Sequence, residues 1–303
     1  MDKDAIETIP GAGGFHRSAT FRDLTRSVMP VPVERIEGPV HSRKQDALAI
    51  EEPLQIRLNY EWKGKRREKD VAITMRTPGH DTELAAGFLF SEGILQSADQ
   101  ILRIGQTHPV SSRNGRRNSV TIELRPGIDC DFHRLERNFY VSSSCGVCGK
   151  ISIEAVHSRI CFPLPSETPL VDLSAIPGLP DTLRHAQSVF DQTGGLHAAA
   201  LFDPSGNLLS LREDVGRHNA VDKLIGAEFL RARHPLRETM ILVSGRASFE
   251  LVQKALMAGI PIMIAVGAPS SLAIEFSRDR GLTLIGFIRE DHFNVYSGEW
   301  RIQ

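Results

Sequence analysis

The sequence predicts an α/β protein, with an α/β domain in its second half behind a small α+β domain. Late in the chain, the runs at residues 240–243, 260–266 and 282–287 are apolar at almost every position and alternate with helical periods. That is the mark of strands in a sheet covered on both faces. Earlier, apolar residues alternate with polar ones on either side of a single glycine turn, which is the pattern of a hairpin. The chain has 303 residues, 41% of them hydrophobic. That supports an ordinary core in one or two domains.

In order, residues 1–45 show no sustained period and carry Gly11, Gly13, Gly14, Pro30, Pro32 and Pro39. They read as a poorly ordered tail, and the Gly-Ala-Gly-Gly run as linker, because no strand precedes it. Residues 46–129 form the small α+β domain. Leu54, Ile56, Leu58 and Tyr60 share one face, Gly64 turns the chain, and Val71, Ile73 and Met75 return it. Asp81 then caps a helix carrying Leu84, Phe88 and Leu89, which Gly93 stops. Strands follow at residues 101–104 and 120–124. Residues 130–165 read as a flexible loop, and residues 166–303 as the α/β domain. That domain opens with a helix over residues 173–190, then strands at 198–202 and 207–211. A helix with Val221, Leu224, Ile225 and Phe229 on one face comes next, then a strand at 240–243. Ser248 caps a helix that Gly259 ends, and a strand at 260–266, a helix at 272–276 and a strand at 282–287 complete the domain.

Charge excludes some functions. Lys and Arg total 36 against 37 Asp and Glu, a formal net charge of -1. No global field recruits nucleic acid or an anionic membrane. The charged first residues lead into no apolar stretch, so no secretory signal is expected. The longest apolar run, residues 259–268, is too short to span a bilayer. A cytoplasmic location follows, with the four cysteines mostly reduced.

Cys145 and Cys148 lie in the run Ser-Ser-Ser-Cys-Gly-Val-Cys-Gly-Lys over residues 142–150. A structural cysteine usually sits among apolar neighbours, whereas this polar, glycine-flanked setting suits thiolate chemistry. Three readings compete. Cys130, His133, Cys145 and Cys148 could hold zinc. A deaminase-type zinc site is excluded, since the His-x-Glu element and the proline before the pair are both missing. Thiol–disulfide exchange would place the pair at a helix start, which Gly146 and Gly149 weaken. A sulfur carrier needs an exposed low-pKa thiol, a mobile arm and a neighbouring thiol to release the cargo, and the segment offers all three.

In open α/β sheets, ligands bind beyond the carboxyl ends of the strands. Ser244, Gly245 and Arg246 occupy one such turn, and residues 267–271 the next. Both turns precede helix N-termini, where phosphates are held. Arg217 and His218 begin a helix, where the macrodipole disfavours positive charge and an anionic ligand would relieve the conflict. Neutralisation of the arginine by Glu213 and Asp214 is the bland alternative. His197 at the strand start joins the same edge.

Five ordered motifs resemble the FdhD family, the accessory sulfurtransferases of formate dehydrogenase. They are His-Asp-Thr-Glu-Leu-Ala-Ala-Gly-Phe-Leu-Phe-Ser-Glu-Gly over residues 80–93, Cys-Gly-Val-Cys-Gly over 145–149 and His-Ala-Ala-Ala over 197–200. Glu-Asp-Val-Gly-Arg-His-Asn-Ala-Val-Asp-Lys over 213–223 and Ser-Gly-Arg-Ala-Ser-Phe-Glu over 244–250 complete the set. The resemblance runs from about residue 45 to the C-terminus. It implies a carrier that takes sulfur from a cysteine desulfurase as a persulfide. The sulfur then passes to molybdenum bis(molybdopterin guanine dinucleotide), or its tungsten counterpart, a bound substrate destined for formate dehydrogenase. It also implies a cytidine-deaminase-like fold for the second domain, a homodimer, and no tightly bound structural metal. Cys145 matches the persulfide-bearing cysteine and Cys148 its partner. The segment Phe287, Ile288, Arg289, Glu290, Asp291 and His292 aligns loosely with the cofactor-contacting stretch, its two carboxylates standing where a pyrophosphate would approach. Cys130 and Cys161 belong to no family motif. The rival function is a zinc-stabilised nucleotide-binding module without sulfur transfer.

Overall fold

The computed structural model of the protein describes residues 27–107, 118–128 and 162–303. It is a mixed α/β structure. Strands β1 (Val28–Glu37) and β2 (Val40–Ala49) pair antiparallel over ten positions. This corrects the reading of residues 1–45 as a tail, since residues 28–45 lie in the ribbon. None of its residues is buried, so no hydrophobic period marks it, and its three prolines read as breakers. A two-stranded ribbon consists of edges alone, where proline is tolerated.

Strands β3 (Glu52–Trp62) and β4 (Lys65–Arg76) form the expected hairpin, turned at Lys63 and Gly64, both with positive φ. With β5 (Ile101–Thr107) and β6 (Ser119–Leu124) they make a four-stranded sheet ordered β4-β3-β6-β5. Helix α1 (Asp81–Ser91) starts after His80, and Gly93 at φ +71 ends it. Asp81 is not its cap. It is 3% exposed and takes a bidentate pair from Arg76, Nε at 3.0 Å and Nη2 at 2.9 Å.

The expected helix at 173–190 is broken into a 3-10 turn at Leu173–Ala175 and the helices α2 (Leu179–Ala186) and α3 (Ser188–Thr193). Pro180 sits in the first turn of α2, where proline starts helices. Strands β7 (His197–Phe202) and β8 (Leu208–Asp214) lead into α4 (Arg217–Leu230). Then β9 (Met240–Val243), α5 (Phe249–Met257), β10 (Ile262–Ala265), α6 (Ser271–Arg280), β11 (Thr283–Gly286) and β12 (Asn294–Ser297) follow in turn.

The second sheet is ordered β12-β11-β10-β9-β7-β8. Its three central strands β9, β10 and β11 are parallel, as the alternation with helices required, while β7, β8 and β12 run antiparallel to their neighbours. Both faces are covered. Ala199, Leu201, Ile241, Val243, Met263 and Leu284 face the main core with the helices. Ala200, Phe202, Leu242, Ile264 and Ile285 face a second core with Leu179 and Leu183.

The main core also reaches the four-stranded sheet through Leu54, Ile56, Leu58 and Ile122. Helices α1 and α4 fill the space between the sheets. They touch backbone to backbone: an added Cβ on Gly87 would collide with the Asp222 carbonyl, and one on Gly226 with that of Glu83. Beside this contact, Lys254 Nζ reaches both Asp222 carboxylate oxygens at 2.8 and 2.9 Å, and Ser91 Oγ donates to Asp222 at 3.0 Å.

Candidate functional site

The strand directions gather one edge. Parallel β9, β10 and β11 end there, antiparallel β7 starts there with His197, and β8 ends there with Asp214, the register partner of His197. Five expected residues therefore meet. Ser244 Oγ accepts from the Ala198 N–H at 2.9 Å and lies 3.5 Å from His197 Nδ1. Gly245 leaves bare backbone beside His197 and Arg217, since an added Cβ would stand 3.5 Å from the imidazole and 3.8 Å from Arg217 Cδ. At the next residue of α4, His218 Nε2 lies 3.4 Å from both Ser248 Oγ and Glu250 Oε2.

Arg217 has its Nε buried with no hydrogen-bond partner among the described residues. Neutralisation by its acidic neighbours fails. Glu213 is taken by the backbone N–H groups of Val189 and Phe190, at 3.1 and 2.8 Å. Asp214 pairs with Lys223 at 2.7 Å. A buried guanidinium nitrogen without a partner is costly to leave so, and a phosphate oxygen would suit it.

Both imidazoles are neutral near pH 7. Burial, then the Arg217 charge, lowers the His197 pKa, while Asp214 pulls it up. Burial pushes His218 down to about 4 against the attraction of Glu250, with Lys254, Arg217 and His197 adding to the fall.

The turns pack closely. Gly267 N–H donates to the Gly245 carbonyl at 3.0 Å, and the Phe287 N–H to the Gly267 carbonyl at 3.2 Å. A Cβ on Gly267 would stand 3.1 Å from both Arg246 Cγ and the Gly245 carbonyl oxygen. Arg246 and Ser270 are exposed beside them, and Ser270 caps α6 by accepting from the Ala273 N–H at 3.2 Å. Phe287 adopts φ +52, strained for a bulky residue, and is 40% exposed.

The rest of the C-terminal segment divides. Ile288 is 1% exposed and packs in the second core, so its side chain is not presented at the edge. Any contact it makes as part of the expected segment would fall to its backbone. Arg289 folds back to donate to the Val266 and Ile288 carbonyls at 2.9 and 2.7 Å. Glu290 is exposed, and Asp291 pairs with exposed His292 at 2.7 Å. Cys130, Cys145, Cys148 and Cys161, with His133, lie outside the described residues. Sequence reasoning passed over Thr77, Asn219 and Lys223, which brace this edge from below. Their buried polar character becomes visible only once β4 is seen against α4.

The FdhD/NarQ family profile matches residues 49–303, which is most of the chain and all of this edge. The chain belongs to the FdhD/NarQ family. Its relatives include proteins named sulfur carrier protein FdhD. One from Streptomyces avermitilis is 50% identical over 275 residues, 89% of this chain and 94% of the relative. Another, from Mycobacterium tuberculosis, is 46% identical over 86% of this chain and 92% of its own. A third, from Sulfolobus acidocaldarius, is 41% identical over 91% and 98%. Among solved structures, a protein described as a candidate formate dehydrogenase accessory protein from Desulfotalea psychrophila superposes with a TM-score of 0.67 at 23% identity. It covers 91% of this chain and 99% of its own, which shows that the two share a fold. No helix among the described residues is long and apolar enough to cross a membrane.

Proposed function

We propose that this protein is a sulfur carrier serving the maturation of formate dehydrogenase. One observation carries the reading: the match to proteins named sulfur carrier spans both the cysteine pair and the anion-suited edge. The Cys145 thiolate attacks the outer sulfur of a cysteine desulfurase persulfide. The donor S–S bond breaks, the donor leaves as a thiolate, and Cys145 holds the new persulfide. Attack by the Cys148 thiolate on the inner sulfur then expels hydrosulfide and leaves a Cys145–Cys148 disulfide. The two thiols thereby supply the two electrons that sulfane sulfur needs. A cellular dithiol restores the pair.

The acceptor in this reading is molybdenum or tungsten bis(molybdopterin guanine dinucleotide), a substrate whose pyrophosphates suit the edge. Arg217 and Arg246 would bind phosphate oxygens, with the backbone at Gly245 and Gly267 allowing close approach. The neutral imidazoles of His197 and His218 would accept or donate single hydrogen bonds without adding charge. The family resemblance further supports a cytoplasmic homodimer. It supports a cytidine-deaminase-like second domain as well, and the mixed sheet with its parallel centre is compatible with that fold.

The direct test is intact mass after incubation with a cysteine desulfurase and free cysteine. Wild type should gain one sulfur atom that dithiothreitol removes, and Cys145→Ala should gain none. A Cys145→Ala protein that still loaded sulfur and fully activated formate dehydrogenase would sink the assignment.

A further inference from the structure

Asp214 is 0% exposed, so its charge must be met inside the protein. Four donors meet it. Oδ1 accepts from the Gly216 N–H at 2.8 Å and from Asn219 Nδ2 at 3.0 Å. Oδ2 accepts from the Thr77 N–H at 3.2 Å and pairs with Lys223 Nζ at 2.7 Å. Thr77 directly follows β4, and the other three donors belong to the turn and first half of α4.

The lattice closes around that carboxylate. Val215 N–H donates to Thr77 Oγ1 at 3.2 Å, and Lys223 Nζ donates to the Thr77 carbonyl at 2.8 Å. Asn219 Nδ2 also donates to the Met75 carbonyl at 2.7 Å, while Thr74 Oγ1 donates to Asn219 Oδ1 at 3.1 Å. The turn that aims Arg217 is thus fastened to the four-stranded sheet as well as to its own. No room is left at its centre, since a Cβ on Gly216 would stand 3.1 Å from Asn219 Nδ2.

We infer that Asp214 is a positioning residue for the anion-binding edge, holding the Arg217 turn through a buried polar lattice that joins the two halves of the chain. The inference rests on the nucleotide reading above and adds a residue that touches no ligand. Asp214 shapes the electrostatics too, because its charge favours the protonated form of His197 against Arg217.

The test pairs Asp214→Asn with Lys223→Met in the full chain, so that neither change leaves an unmatched buried charge. Guanosine diphosphate is the probe, titrated calorimetrically, and His197 is titrated in parallel by NMR. A folded double variant should bind the nucleotide about ten-fold more weakly, the scale of one misplaced charged hydrogen bond. Its His197 should titrate at lower pH, a change that simple loosening of the fold would not produce in that direction. Unchanged affinity in the folded variant, with wild type binding, would overturn the positioning role alone. Absence of binding by wild type would instead overturn the nucleotide reading and the positioning role with it. Should the double variant fail to fold, Thr77→Val decides on nucleotide affinity, its His197 titration staying as in wild type because the Asp214 charge is kept. It removes only the hydroxyl that receives the Val215 N–H, and an unaltered affinity would again overturn the role.

Discussion

His218 shows how one residue's surroundings set the chemistry of the edge. Its ring is mostly buried between Ser248, Glu250 and the Arg217 side of α4, and burial holds its pKa near 4 against an ordinary 6.5. The unfolded chain therefore binds a proton that the native chain refuses between those two values. Stability from this group is complete above pH 6.5 and is lost as pH falls toward 4, by at most about 3 kcal/mol. Urea unfolding at several pH values should show that slope in wild type. His218→Gln should flatten it between pH 6.5 and 4. A variant that kept the full slope would place the responsible titration elsewhere. Arg217 makes the complementary point. Its misfit at a helix start was legible in the sequence, but that Glu213 and Asp214 are both engaged elsewhere was not. Only the packing of α3 and β4 around them shows which donors they serve.

Among the elements, legibility followed the hydrophobic signal. Strand β9 is four apolar residues with every side chain buried, and its limits match the reading from sequence. Ser248 accepts from the Leu251 N–H as the expected cap of α5, and Gly259 at φ +74 follows its last turn. The signal failed where side chains stay exposed or polar. The β1–β2 ribbon buries too little to leave a period, and β12 is a short edge strand with Asn294 and Val295 exposed. Helices α1 and α4 hide another kind of information. Their glycines look like weak points for a helix, yet Gly87 and Gly226 are the residues that let the two backbones meet. Gly87→Ala should therefore cost about 3 kcal/mol rather than gain the usual helix preference, because overpacking here meets backbone that cannot swing aside. Denaturant midpoints of wild type and variant measure this directly, and a stabilised Gly87→Ala would show that α1 and α4 do not touch as described.

Across the whole molecule, the proposed binding edge and the cysteine pair sit on different parts of the chain, which makes the two proposed activities separable. The edge is assembled by both sheets and their shared core, whereas Cys145 and Cys148 belong to a glycine-flanked polar run between the two sets of elements. If the cysteines bear only cargo, Cys145→Ala/Cys148→Ala should bind guanosine diphosphate as wild type does. Its melting temperature should be unchanged, and it should be insensitive to chelators, since a zinc site would couple metal loss to unfolding. A fall in melting temperature on chelation of wild type would restore the Cys130, His133, Cys145 and Cys148 zinc reading. Arg217→Ala and Arg246→Ala should do the reverse. Each should still accept one sulfur from a desulfurase, but lose about 1.5–3 kcal/mol of nucleotide affinity if it makes a charged hydrogen bond to phosphate. Calorimetry and intact mass on the same preparations decide between these patterns. Cysteine variants that lost nucleotide binding, or arginine variants that could not be loaded, would mean that the two activities share one site. The cargo-bearing thiols would then have to contact the edge before the cofactor arrives.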